Sequence, residues 1–142
     1  MMSTDDLAEV ESLRLLGSAP VARLVVSVAD VIDIYPVTAT VFGGDVLFRT
    51  APGSKLAGLA ANASVLVEAD EFGQQVSWSV VVRGLARRIE DREELEAIEP
   101  ILRDPFAGGR KDVVVRVTPT SVTGRLVERA PLETDVVLDA PD

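Results

Sequence analysis

A stretch in the first half of the sequence brings cations, hydroxyls, a proline and a glycine together over residues 48–56. Its chemistry-bearing side chains are those of Arg49, Thr50, Ser54 and Lys55. An apolar, β-branched run precedes this stretch and leucines at helical spacing follow it at 56–61, which predicts a strand-to-helix junction. Because the N–H groups of a helix N-terminus attract anions, the pattern indicates a phosphate-binding site.

The same residues also suit the start of an ordinary helix. Thr50 can cap the helix, and Pro52 fits its first turn, where a missing N–H costs nothing. Arg49 and Lys55 would then be solvated cations without a ligand. This stretch alone leaves both interpretations open.

The residue types that the chain lacks exclude whole classes of site. There is no cysteine, which removes disulfides, thiolate nucleophiles and zinc–thiolate sites. There is no histidine, which excludes Ser-His-Asp triads, histidine metal sites and imidazole bases. Glu68, Asp70 and Glu71 could form a carboxylate pair or bind a hard cation. We favour a solvated strand end, because no further ligand has matching spacing, and we predict no metal site.

The length of 142 residues predicts a single domain over 1–142, with its core at about 10–127 and an acidic tail at 128–142. The net charge of −9 belongs to the two ends, since residues 1–12 carry four acids and no base, and the tail carries five acids and one base. We expect both ends to fray. The body is nearly neutral and has no basic stripe, so nucleic acid is not an expected partner.

Hydrophobic residues make up 47% of the chain and charged residues 26%, which predicts a soluble globular protein. No apolar run reaches the roughly 18–20 residues that cross a bilayer. The N-terminus is acidic and has no hydrophobic signal core. We therefore expect a cytoplasmic protein with no membrane partner.

Periodicity predicts three helices, at residues 5–17, 56–61 and 91–102. The last should begin with Asp91 as its N-cap and turn its apolar side chains inward, namely Leu95, Ile98 and Leu102. Alternating and β-branched runs predict seven strands, at 22–28, 34–42, 46–48, 64–70, 75–90, 113–118 and 121–127.

Glycine and proline mark the connections between these strands. A tight hairpin is expected at residues 43–45 and a turn at 30–33. Pro36 has no N–H and predicts an edge, a bulge or an interrupted ladder, while Gly84 predicts a bulge or a barrel corner. Hairpin-connected strands with few helices favour a mainly β fold, a small closed or split antiparallel β-barrel with peripheral helices.

Five pieces of the sequence, in this order and spacing, resemble the pyridoxamine 5'-phosphate oxidase superfamily, the split β-barrels that bind flavin or deazaflavin. The pieces are Ala22-Arg23-Leu24, Ile34-Tyr35-Pro36-Val37, residues 48–56, residues 78–84 and Val122-Thr123-Gly124-Arg125. Each piece alone is weak evidence of kinship. Together they cover about residues 10–127, nearly the whole fold.

The resemblance implies a homodimer with two flavins at its interface. The residues that would hold the flavin phosphate are Arg49, Thr50, Ser54 and Lys55. Those that would run along the isoalloxazine ring are Pro36, Val37, Thr38 and Ala39. Those that would lie near the site, from the partner subunit or its rim, are Trp78 and Ser79.

Two departures from the family pattern matter. Many relatives carry Asn and Tyr where this chain has Thr38 and Ala39, which leaves the ring contacts open. Thr38 either donates a hydrogen bond to the flavin or is an ordinary strand threonine, and Trp78 either stacks on a ring or packs in the core. The substrate residues of the true pyridoxamine phosphate oxidases have no counterpart here, so we assign neither that reaction nor any catalytic residue.

A bound flavin supplies its own redox chemistry, which suits a chain with no histidine or cysteine. One hypothesis is an FMN-dependent oxidoreductase that acts on a small organic substrate, with the deazaflavin coenzyme F-420 as the alternative cofactor. The other is a split-barrel protein that binds a cofactor or ligand without turnover. FMN is favoured because the pattern offers one compact anion site and no second basic groove for the acidic tail of the deazaflavin.

Overall fold

The computed structural model describes residues 2–53, 63–104 and 112–129. Its strands within these ranges are β1 (Met2–Asp6), β2 (Ala22–Val28), β3 (Val31–Val37), β4 (Thr40–Phe42), β5 (Asp45–Thr50), β6 (Ala63–Phe72), β7 (Val76–Arg88) and β8 (Val113–Arg129). Its helices there are α1 (Glu9–Ser18) and α2 (Arg92–Ile98), the latter followed by a short 3-10 helix, Glu99–Ile101. None of the helices in the described ranges is long and apolar enough to span a bilayer.

The strands form one antiparallel sheet whose two edges are joined by a very short link. The main path runs β3-β2-β6-β7-β8-β5-β4, and β1 pairs with the far end of β8. The edges β3 and β4 are separated in sequence by only Thr38 and Ala39. Such a link spans at most ~11 Å, so the sheet must curl until the end of β3 and the start of β4 come together. This closure confirms the mainly β, split-barrel fold, and we call the link and its flanking residues, 37–40, the seam.

The interior of the barrel holds the main hydrophobic core. Strand residues alternate between this interior and the outer face, and α1 adds Leu13 and Leu16 to the interior. The large side chains that are fully buried in this core are Leu16, Leu24, Val46, Phe48, Val67, Val80, Val82, Val115 and Val117. Burying each such side chain contributes about 1.5–3 kcal/mol, which makes this core the main source of stability.

A second, smaller core lies on the outer face, where α2 covers β5 and β8. It consists of four buried side chains, Leu47, Ile89, Ile98 and Val114. Leu95 and Leu102 pack against it, so the predicted inward side of this helix is confirmed. Asp91 is also confirmed as the N-cap, since its carboxylate accepts a hydrogen bond from the Glu94 N–H at 3.1 Å.

Two glycine predictions are confirmed by local geometry. Gly43 and Gly44 have φ of 61° and 83° and form the two-residue turn between β4 and β5. Gly84 lies at a register shift between β7 and β8, where a Cβ would stand 2.6 Å from the Thr118 carbonyl oxygen. No larger residue fits there without moving the backbone.

The N-terminal prediction is wrong at its start. The helix expected at 5–17 begins only at Glu9, and residues 2–6 form β1, which was not predicted. The acidic start therefore does not simply fray, because β1 pairs with residues 125–129 of β8, with Asp6 opposite Arg125. An acidic segment can serve as a strand here because β8 extends past β5 and offers backbone groups along its edge.

Three strand boundaries also differ from prediction. The turn expected at 30–33 is a tighter one at Ala29 and Asp30, whose φ values of 50° and 64° allow β3 to begin at Val31. The strand expected at 34–42 is interrupted at the seam. The two strands expected at 113–118 and 121–127 are one continuous β8, because a bulge absorbs the residue between Pro119 and Ser121.

Several sequence predictions lie outside the described residues. They concern Ser54, Lys55, the helix at 56–61 with its end at Asn62, most of the loop at 103–112, and the tail beyond Arg129.

Candidate functional site

The seam is the place where the barrel closes and where the backbone leaves the sheet. The β2–β3 ladder ends at the pair Ala22–Val37, and the β4–β5 ladder begins at the pair Thr40–Leu47. Among the described residues, Thr38 and Ala39 take part in neither ladder. Both residues are buried in the described chain, at 8% and 1% exposed.

Arg49 and Thr50 end β5 beside the seam. Arg49 lies two residues beyond Leu47, which pairs with Thr40 at the end of the seam. Arg49 points to the outer face, where its guanidinium has one hydrogen-bond acceptor among the described residues, the Glu99 carbonyl at 3.5 Å. Thr50 is buried at 7% exposure and points to the opposite face.

Pro36 and Val37 occupy the end of the edge strand β3. Pro36 is exposed on the outer face opposite Arg23, which confirms that this proline belongs on an edge. Val37 turns inward and belongs to the main core. Of the four residues expected along a flavin ring, only Pro36 therefore presents its side chain to the outer face in the open.

Trp78 and Ser79 lie on β7, which is separated from β3 in the sheet by β2 and β6. Trp78 is 7% exposed in the main core, and its indole N–H donates to a Glu71 carboxylate oxygen at 3.3 Å. Ser79 lies on the outer face between Asp70 and Arg125. The structure thus brings Arg49 and the seam together and holds the Trp78 ring inside its own chain.

The family of the chain follows from its sequence match. A profile described as pyridoxamine 5'-phosphate oxidase matches residues 8–126. The chain belongs to this family.

Other members of the pyridoxamine 5'-phosphate oxidase family resemble this chain in sequence and in structure. A protein proposed to be a pyridoxamine 5'-phosphate oxidase from Corynebacterium glutamicum is 35% identical, with 91% of this chain and 96% of that one aligned and a TM-score of 0.81. The FAD binding protein from Mycobacterium smegmatis is 36% identical, with 87% and 98% aligned and a TM-score of 0.74. The Mycobacterium tuberculosis protein Rv0080 is 35% identical over 84% of this chain and 82% of its own length.

The described residues fit the flavin that this family resemblance implies in two respects. Thr38 and Ala39 lie outside both ladders, so strand pairing does not fix how their peptide groups are turned toward the polar edge of an isoalloxazine ring. Arg49 provides a cation whose one described hydrogen bond is long, so its donors can serve a phosphate. The rest of the predicted phosphate site, Ser54 and Lys55, lies outside the described residues.

Sequence reasoning missed Arg103, which contacts the seam directly. One terminal nitrogen of its guanidinium donates to the carbonyl oxygens of Gly17, Ala19 and Ala39, at 2.7, 2.8 and 3.0 Å. Its backbone N–H donates to the Thr40 hydroxyl at 2.9 Å. These partners are 63 to 86 residues away in sequence, so no local pattern could have indicated them.

Two carboxylates of the acidic cluster at the end of β6 pair with an arginine on β2. Arg23 on β2 contacts Glu68 at 2.8 Å and Asp70 at 3.6 Å. Partial burial raises the pKa of Glu68, and the neighbouring Asp70 adds to the rise while Arg23 opposes it. In the described part of the chain, no group of three potential ligands could hold a metal ion.

Proposed function

We propose that the protein binds a flavin nucleotide at the seam, with the ring against the backbone of residues 37–39 and the phosphate toward Arg49. The observation that carries this proposal is the position of Arg49, an outward-facing cation one strand away from backbone that belongs to no ladder. Family membership supports it, because the Mycobacterium smegmatis relative is an FAD binding protein.

FMN is our first choice of cofactor, since a single terminal phosphate suits one compact cation site. FAD is the competitor that the Mycobacterium smegmatis relative suggests, and coenzyme F-420 is the third candidate. These three ligands differ in what extends beyond the phosphate. A direct comparison of their affinities therefore decides between them.

The proposed activity is oxidoreduction of a small organic substrate. The bound flavin would supply the redox chemistry, while the chain would bind and orient the ring and carry no imidazole or thiol of its own. A binding protein without turnover is the second candidate. It is favoured by Thr38 and Ala39, which are buried and offer the ring no side-chain acid or base.

We further propose that the protein works as a homodimer through the outer face of β3, β2, β6 and β7. Ile32 and Ile34 of the edge strand are 72% and 63% exposed on this face. Ile32 lines an open groove of about 390 Å³ that also has Val25, Leu66 and Leu85 in its wall. An exposed apolar surface of this kind is typical of an interface, and a second copy of the chain brings an identical apolar face to it.

To test this, apo protein is titrated with FMN and with riboflavin, and the quenching of flavin fluorescence measures binding. Riboflavin has the same ring and no phosphate. Arg49→Ala should weaken FMN binding about 10- to 100-fold, since a charge-assisted contact contributes about 1.5–3 kcal/mol, and should change riboflavin binding little. Lys55→Ala should act in the same direction.

Arg92→Ala is the matched control, because Arg92 is an exposed arginine at the start of α2. It should bind both ligands as the wild type does. Wild-type protein that binds neither flavin nor coenzyme F-420 would overturn the proposed function. Equal loss of FMN and riboflavin in Arg49→Ala would overturn the phosphate role of Arg49.

A further inference from the structure

We infer that Arg103 is a positioning residue for the flavin ring, because its guanidinium fixes the backbone of the seam. This inference rests on the proposed function, in which residues 37–39 meet the ring. Arg103 acts on this backbone through the carbonyl of Ala39 and the hydroxyl of Thr40.

The contacts of Arg103 join three parts of the chain. Gly17 lies in the last turn of α1 and Ala19 directly follows the helix. Ala39 belongs to the seam, and Arg103 itself follows the 3-10 helix after α2. A single terminal nitrogen within 3.0 Å of three carbonyl oxygens therefore ties α1, the seam and the α2 segment to one point.

The chemistry of these acceptors explains why a cation lies here. The last carbonyls of a helix have no partner within the helix and carry the negative end of its dipole. The Ala39 carbonyl belongs to no strand ladder in the described structure. A half-buried guanidinium satisfies both kinds of acceptor at once, with charge-assisted hydrogen bonds.

The consequence concerns the path of the backbone at residues 38–40. Without the guanidinium, the Ala39 carbonyl would lose its described hydrogen bond to Arg103. The peptide unit between Ala39 and Thr40 could then rotate, and the neighbouring peptide groups would no longer be fixed for the ring edge. Ring binding should suffer even though the cation near the phosphate, Arg49, is untouched.

The test compares Arg103→Ala and Arg103→Lys with wild type by FMN and riboflavin titration and by the visible circular dichroism of the bound flavin. Arg103→Ala should weaken FMN and riboflavin by the same factor, about tenfold or more, and alter the dichroism. Arg103→Lys keeps the charge on a shorter side chain, so it should lie between. Arg14→Ala is the control, because Arg14 is an exposed cation on α1 that pairs with Glu11.

The outcomes separate this inference from the proposed function. Suppose that the wild type binds flavin and that both Arg103 variants show the same affinities and dichroism as the wild type. This result would overturn the role of Arg103 but not the proposed function, even if the variants melt at lower temperature. A loss confined to FMN would overturn it as well, since that pattern belongs to the phosphate. If Arg103→Ala does not fold, Arg103→Lys decides by the same criteria. Wild type that binds no flavin would overturn the proposed function first.

Discussion

The outer face of the barrel has two halves, a covered half over β5 and β8 and a bare half over β3, β2, β6 and β7. Over β5 and β8, α2 covers the sheet and buries Leu47 and Val114 almost completely. Over β3, β2, β6 and β7, no described element covers the sheet, and Ile32 and Ile34 stand in the open. Both halves carry apolar side chains, so the difference is not one of composition. One half is covered within the described chain, and the other is the surface that we propose a second copy covers.

The largest expected effect is on stability, when an isoleucine is replaced by alanine in each of the two halves. Ile98→Ala, in the covered half, should lower the free energy of unfolding by about 3 kcal/mol, because it leaves a cavity under α2. Ile34→Ala, in the bare half, should cost less than about 0.5 kcal/mol in the monomer. Urea denaturation at two protein concentrations checks this. The cost of Ile34→Ala should grow with concentration if the bare half binds a second copy, and equal costs at both sites would erase the distinction.

The next effect concerns association. Ile34→Asp places a charge in the proposed interface and should weaken dimerisation about 30-fold, or ~2 kcal/mol. Ile101→Asp is the control, since Ile101 is 38% exposed next to α2 on the covered half. Sedimentation equilibrium should show wild type and Ile101→Asp as dimers and Ile34→Asp shifted to monomer. A monomeric wild type at micromolar concentration would contradict the interface.

A smaller effect on stability tests the ion pairs between α2 and the sheet. Arg87 and Arg116 lie directly opposite each other on β7 and β8, and Glu94 of α2 contacts them at 2.9 and 3.0 Å. Asp45 accepts from Arg116 at 2.7 Å. Glu94→Gln leaves the two arginines facing each other and should cost about 1–2 kcal/mol at pH 7. Urea denaturation gives this value, with Glu93→Gln as the exposed control on the same helix.

The cost of Glu94→Gln should also depend on pH in a defined direction. Hydrogen bonding to Arg87, with a further contribution from Arg116, lowers the pKa of Glu94 below its usual 4.5. A carboxylate whose pKa is lower in the folded state stabilises the protein at pH values above its unfolded-state pKa. This stabilisation is lost as the pH falls through the folded-state pKa. The difference between wild type and Glu94→Gln should therefore be constant near neutral pH and shrink below about pH 4.5. A difference that grows on acidification would refute this pairing.

The smallest effect concerns the start of α2. Asp91→Ala removes the N-cap hydrogen bond to the Glu94 N–H and should cost about 1 kcal/mol. Asp91→Asn keeps an acceptor oxygen and should cost only a few tenths. Thermal melting of the two variants compares them directly. Equal losses would mean that charge at the helix N-terminus, rather than the hydrogen bond, carries the effect.

The sequence predicted those features whose causes lie close together along the chain. The turn at Gly43 and Gly44, the cap at Asp91 and the inward side of α2 each depend on a few neighbouring residues. The order of motifs also identified the family and the barrel. β1 could not be predicted, because its partners on β8 are more than a hundred residues away and its own composition is acidic.

The candidate site shows the same limit. Arg49 and the residues of the seam could be named from the family pattern, and the structure places them one strand apart. Trp78 could not be assigned, because alternation along β7 fixes that neighbours point opposite ways but not which of them points inward. Arg103 gave no signal at all, since its three carbonyl partners are backbone atoms that any residue type provides.

β8 has a consequence for how the barrel is made. Three strands, β1, β5 and β7, pair with it, yet it follows all of them in the chain. During synthesis, these three strands leave the ribosome before their common partner does. The pairing of Met2 with Arg129 closes a loop over nearly the whole described chain. Proteins with such a high contact order fold slowly. We therefore expect the barrel to form late, and until then its unpaired apolar strands are exposed to pairing with other chains.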